Sequence, residues 1–195
     1  MHKISLATAP RRPWKNGGGE TRELAVAPAG AGLDDFDWRI SCAQVASGGA
    51  FSAFAGVDRS LAVLDGAGLR LACGDGITHV LTADSAPLVF PGEQPVHAAL
   101  LDGAVSDFNV MTRRTRCSHR LESLTLHGAH ALDRCTDGLF IYCSAGAGLS
   151  CELADGRRIA LPLGAGLLCD AGDEWPQELK AAAAVRVQLV WLWRR

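Results

Sequence analysis

Shifted by 80 residues, the chain lies on itself without a gap over two stretches. Gly66-Ala67-Gly68-Leu69 falls on Gly146-Ala147-Gly148-Leu149, Asp75-Gly76 on Asp155-Gly156, Leu81 on Leu161, Leu88 on Leu168 and Gly92 on Gly172. The matched positions are turn glycines and core-type leucines, which any recurring backbone imposes on its sequence. The chain is therefore expected to build one supersecondary unit twice. Its 195 residues suffice for two small, packed halves.

The unit itself reads as β-structure. Twenty-two glycines punctuate short apolar runs. From Phe36 to Ala43 the residues alternate: Phe36, Trp38, Ile40 and Cys42 share one face, and Asp37, Arg39 and Ser41 the other. Leu61–Leu64 and Leu69–Ala72 flank Gly66-Ala67-Gly68, which predicts a hairpin. Val185–Trp191 alternates again, and Trp191 with Trp193 forms an apolar face suited either to a core or to a homodimer surface. Only Gln177–Ala184 is rich in helix formers, and it is short. Each repeat runs hairpin, strand, Asp-Gly turn, strand, then an apolar strand ending at a glycine corner. That order predicts an all-β fold of two cupin-like jelly-roll barrels with little helix. Residues 1–115 would form the first and 116–195 the second, the boundary falling near 115–135, with strands free to exchange between the halves.

Several classes of function are disfavoured. A net charge of -2 gives no electrostatic basis for binding nucleic acid, and the basic run Arg113-Arg114-Thr115-Arg116 is short. No apolar stretch resembles a secretory signal or a membrane span, so a cytoplasmic location is expected. Seven cysteines without a C-x-x-C suit thiols in a reducing compartment. Cys135, Cys143 and Cys151, eight residues apart, read as small apolar fillers on strands.

The corner Phe90-Pro91-Gly92-Glu93-Gln94-Pro95-Val96-His97 resembles the second cupin motif, whose histidine points inward as a ligand. A metal-binding cupin also needs His-x-His, two imidazoles on one side of a strand, and none is present. His127 and His130 suit a solvated loop. No metal and no cofactor are expected. There is no G-x-S-x-G elbow, Cys117 and His119 are a weak pair, and Gly17-Gly18-Gly19 lacks the phosphate-loop spacing. A metal-free enzyme would have to use His97 or His79 as its acid–base group.

Three polar segments remain: Trp14–Leu24, Phe51–Arg59 and Asp107–Arg113. On a strand, Asn109, Met111 and Arg113 face one way, and Phe108, Val110 and Thr112 the other. The motifs W-K-N-G-G-G-E-T-R-E-L, F-D-W-R-I-S-x-A, F-S-x-F-x-G-x-D-R and D-F-N-V-M-T-R-R, in this order, resemble the HutD/Ves family, which is tied to bacterial histidine utilisation. The resemblance implies a two-cupin fold and a regulatory protein that binds a small molecule in its first barrel. Asn16, Thr21, Arg22, Arg39, Asp58, Arg59, His97, Asn109 and Arg113 are the expected site residues. The arginines suit a carboxylate such as an intermediate of histidine degradation. Because several arginines cannot share one cavity uncompensated, Asp58, Glu20 or Glu23 is expected to neutralise at least one.

Overall fold

The computed structural model describes residues 1–14, 17–133 and 136–195. Every helix or strand among them is a strand, so no helix is long and apolar enough to cross a membrane. In chain order the strands are β1 (His2–Ser5), β2 (Arg11–Pro13), β3 (Gly19–Ala27), β4 (Trp38–Val45), β5 (Gly49–Ala50), β6 (Val57–Asp65), β7 (Leu69–Cys73), β8 (Thr78–Leu81), β9 (Leu88–Pro91), β10 (Val96–Leu100), β11 (Val105–Arg113), β12 (Cys117–Ala131), β13 (Gly138–Ala145), β14 (Leu149–Glu152), β15 (Arg158–Leu161), β16 (Ala165–Asp170) and β17 (Glu178–Arg194).

They divide into two units. One comprises residues 9–118 with Arg195, the other residues 1–8 with 119–194. The first eight residues thus leave the half to which the sequence reading gave them. Strand β1 covers an otherwise open edge of the second unit, with His2 opposite Leu168 and Ser5 opposite Ala165.

The second unit is a seven-stranded sheet, ordered β1-β16-β13-β17-β14-β15, with β12 also pairing β17. Its interior is apolar: Leu139, Ile141, Leu149, Leu161, Leu167, Leu179, Val187 and Leu189 are all essentially inaccessible. Trp191 is buried in this core, and Trp193 is partly buried and packs against it. Cys143 and Cys151 are buried fillers, and burial pushes the Cys151 thiol up to about 12. Cys135 lies outside the described residues. The short stretch rich in helix formers, Gln177–Ala184, forms from Glu178 onward the start of β17, where Leu179 and Ala181 pair with Cys151 and Leu149. Sheet pairing and burial of Leu179 override a helix propensity worth only tenths of a kcal/mol per residue.

The first unit has two sheets, one of six strands ordered β2-β3-β4-β11-β6-β9 and one of four ordered β5-β10-β7-β8. The hairpin expected across Gly66-Ala67-Gly68 is a corner instead. Strand β6 pairs with β11 and β9, and β7 with β10 and β8, so the turn carries the chain from one sheet to the other. Gly66 has φ +94°, and a Cβ there would stand 2.5 Å from the Ala104 carbonyl oxygen. Gly146, at φ +84°, meets Ala184 at the same 2.5 Å. Both corners therefore need glycine for conformation and for space.

The 80-residue offset extends from sequence to strand register. Leu69 stands opposite Leu81, and Leu149 opposite Leu161. Arg59 stands opposite Met111 and Leu61 opposite Asn109, just as Leu139 stands opposite Trp191 and Ile141 opposite Leu189.

Candidate functional site

Between the two sheets of the first unit lies a cavity of about 600 Å³. Its wall follows from strand parity. On β11, Asp107, Asn109 and Met111 face it; on β4, Arg39, Ser41, Ala43 and Val45; on β3, Thr21 and Glu23; on β6, Arg59 and Leu61. These residues form rows across the sheet. Thr21, Ala43 and Asp107 make one row, Glu23, Ser41, Asn109 and Leu61 the next, and Arg39, Met111 and Arg59 a third. The four-stranded sheet contributes only the small residues Gly49, Ala50 and Ala98, which leaves the space open. Trp14 closes one side, its indole N–H donating to Thr21 Oγ1 at 2.8 Å.

Arg59 is the most constrained cation of the cavity. It is buried, and its guanidinium carbon lies 5.1 Å from the ring centres of both Phe51 and Phe90 and 5.7 Å from that of Phe54. Nε and Nη2 donate to Asn109 Oδ1 at 3.4 and 3.2 Å, and Nη1 to the Ser52 carbonyl at 3.2 Å. A guanidinium has five N–H groups, so two remain without an acceptor among the described residues. Nor does any described carboxylate come within 4.0 Å of it. Desolvation lowers its pKa to about 10, which leaves it cationic at neutral pH.

Arg39, also buried, is neutralised by Glu23, Nε donating to Oε2 at 2.7 Å. Asp107 is the remaining buried charge-bearing group. Burial raises its carboxyl to about 7 despite attraction by Arg59 and a hydrogen bond from the Ala43 amide. Its Oδ1 is inaccessible and has no hydrogen-bond partner among the described residues.

Of the expected site residues, the cavity brings together Thr21, Arg39, Arg59 and Asn109. Asn16 lies outside the described residues. The other four are placed elsewhere, for reasons that are local. Arg22 follows Thr21 on β3 and so faces away, 3.5 Å from Glu20. His97 is exposed because Val96 and Ala98, either side of it on β10, face inward. Asp58 precedes inward Arg59 and binds Arg114 at 2.6 Å. Arg113 has the expected parity but sits where β11 ends. It donates to the carbonyls of Asp34 at 2.7 Å and Phe36 at 3.2 Å, over the Phe36 ring. His79, the other candidate acid–base group, is on β8, and no histidine lines the cavity among the described residues. Arg113→Met is accordingly expected to lower the melting temperature by several degrees while leaving carboxylate affinity within about twofold, since the loss is of hydrogen bonds that fasten residues 34–36. Paired thermal melts and calorimetry check it.

Sequence reasoning missed Asp107 and the rings of Phe51 and Phe54. Parity would have found Asp107, two residues before Asn109. The rings could not be foreseen, because they lie in an irregular segment after β5.

The second unit lacks this polar set. The counterparts of Arg59, Asp107 and Asn109 at the 80-residue offset are Leu139, Val187 and Leu189, all in its apolar core.

The HutD family model matches residues 6–187. The chain belongs to the HutD family. Among its relatives is the protein Ves of Cronobacter sakazakii, 46% identical over 60% of this chain and 63% of that protein. The chain thus matches just under two thirds of that relative's length. Two solved structures match almost end to end. A conserved protein of unknown function from Pseudomonas aeruginosa PAO1 is 34% identical with a TM-score of 0.89, over 98% of each chain. HutD from Pseudomonas fluorescens SBW25 is 27% identical with a TM-score of 0.82, over 100% of this chain and 98% of that one. More distant folds include a cupin 2 conserved barrel protein from Leptotrichia buccalis, 10% identical over 88% of this chain and 87% of that one, with a TM-score of 0.57. The fold of this HutD-family chain is therefore all-β and cupin-like.

Proposed function

We propose that this HutD-family protein is a two-cupin carboxylate receptor, a cytoplasmic regulator of histidine utilisation that binds an acid of that pathway in its first unit. The observation that carries this reading is Arg59, a buried cation on a cavity wall with two N–H groups unclaimed by any described residue. A carboxylate there would accept the two bonds that the wall leaves open and would supply a counter-charge in direct contact. The rings of Phe51 and Phe54 and the thioether of Met111 suit a ligand with an unsaturated or apolar body. The 80-residue register supports the two-cupin architecture, with the second unit as a filled structural partner.

The test is a thermal-shift and calorimetric screen against urocanate and formylglutamate-type acids. At a hundredfold excess over Kd a true ligand stabilises by about 2.7 kcal/mol. The reading expects one saturable site per chain and unchanged acid after incubation. If no acid of the series raises the melting temperature, the reading fails. Turnover of a bound acid would instead favour a metal-free enzyme. With His97 and His79 away from the cavity, its proton carrier would be Asp107.

A further inference from the structure

We propose that, above neutral pH, Asp107 takes up one proton for each carboxylate the cavity binds, so that the anion enters as the neutral combination of ligand and proton. The proposal rests on the carboxylate reading of the same site.

Asp107 stands on β11 between β4 and β6, opposite Ala43 and Val63. The Ala43 amide supports its carboxyl, while Oδ1 is sealed from water and unpartnered among the described residues. Its main electrostatic support is Arg59, felt through space and not as an ion pair in contact. In the empty cavity, one cation therefore balances one buried carboxylate. A ligand carboxylate on the free N–H groups of Arg59 makes two anions share that cation. The ligand wins by direct, charge-assisted bonds, and two anions in a poorly solvated space disfavour each other's charge. The proton, drawn from solvent, goes to Asp107 because that carboxyl is already held near neutrality by burial.

The other charged groups facing the cavity do not compete for this role. From β6 there is Arg59 itself. Arg39 on β4 is bound to Glu23 on β3, and Arg12 on β2 is exposed. The four-stranded sheet brings no charge, and no described imidazole lines the space.

The experiment uses the full chain with sodium benzoate and sodium formate, both ionised throughout pH 5.5–8.5. The expected Kd is flat on the acid side and rises about tenfold per pH unit above pH 7.5, the slope for one linked proton. Calorimetry at pH 8 in phosphate and in Tris, whose ionisation heats differ, should count close to one proton taken up per anion bound. Asp107→Asn should bind with a Kd independent of pH and no proton uptake. Saturable binding with a flat Kd and no proton in wild type overturns this proposal alone. A pH slope that persists in Asp107→Asn also overturns it. If neither probe binds at any pH, the carboxylate reading fails and this proposal with it. The wild-type proton count decides the matter even if the variant does not fold.

Discussion

Arg59→Met is expected to weaken carboxylate binding by roughly 100- to 10,000-fold. The substitution removes two charge-assisted hydrogen bonds to the ligand, each worth about 1.5–3 kcal/mol, at a buried cation of the wall that no described carboxylate contacts. The fold should tolerate it. Methionine fills the space between Phe51, Phe54 and Phe90, and sulfur packs well against ring edges. Loss of a buried charge relieves desolvation, while Asn109 Oδ1 loses its donor. These terms oppose each other at about 1–3 kcal/mol apiece, so the melting temperature should move by only a few degrees. Calorimetry beside a thermal melt separates the two effects. Wild-type affinity in a folded Arg59→Met variant would move the anion site away from this wall. Arg39→Met should behave differently, because it strands Glu23 without its partner and destabilises the protein as well.

The second large effect is on stability against pH. The Asp107 carboxyl is raised from an ordinary 3.8 to about 7 by burial. Below the ordinary value both folded and unfolded chains hold the proton, and Asp107 contributes no pH dependence. Between the two values the folded chain keeps a proton that the unfolded chain releases. Each pH unit then removes about 1.4 kcal/mol of stability. The loss is complete above pH 7 and amounts to about 4 kcal/mol across the window. Paired surface acids act in the opposite sense. Salt-bridge hydrogen bonds from Arg11, Arg114 and Lys180 lower the carboxyls of Glu20, Glu93 and Glu152. Their contributions are present above the ordinary carboxylate range and fade as pH falls through it. Stability without ligand should therefore peak near pH 5. Asp107→Asn should remove the decline towards neutrality, gaining about 4 kcal/mol at pH 8 and only about 1.6 kcal/mol at pH 5. Denaturant titrations at both pH values measure this. Equal differences at the two values would show that Asp107 is not the group responsible.

Much of the architecture was legible because periodicity and turn chemistry are local. Alternation from Trp38 to Ala43 placed Arg39 and Ser41 together, and the same rule on β11 paired Asn109 with Met111. Recurring turn glycines and leucines gave an offset that the strand register follows, from Leu69 opposite Leu81 to Leu149 opposite Leu161. Parity applied more strictly would also have excluded Arg22 beside Thr21 and Asp58 beside Arg59, and would have added Asp107.

The amino-acid order by itself determined which side chains share a strand face, where the backbone must turn, and that one half carries a polar set where the other carries leucine and valine. Only the tertiary structure decided which face encloses a cavity and which arginine keeps N–H groups without an acceptor among the described residues. Arg39, Arg113 and Arg114 are equally cationic in sequence. The fold gives the first to Glu23, the second to the carbonyls of Asp34 and Phe36, and the third to Asp58 and Glu93. Arg59 is left with an amide, one carbonyl and three rings. Ion pairing depends on distances of a few ångströms between residues remote in sequence, such as Arg114 and Asp58, and those distances exist only once the strands have been laid side by side.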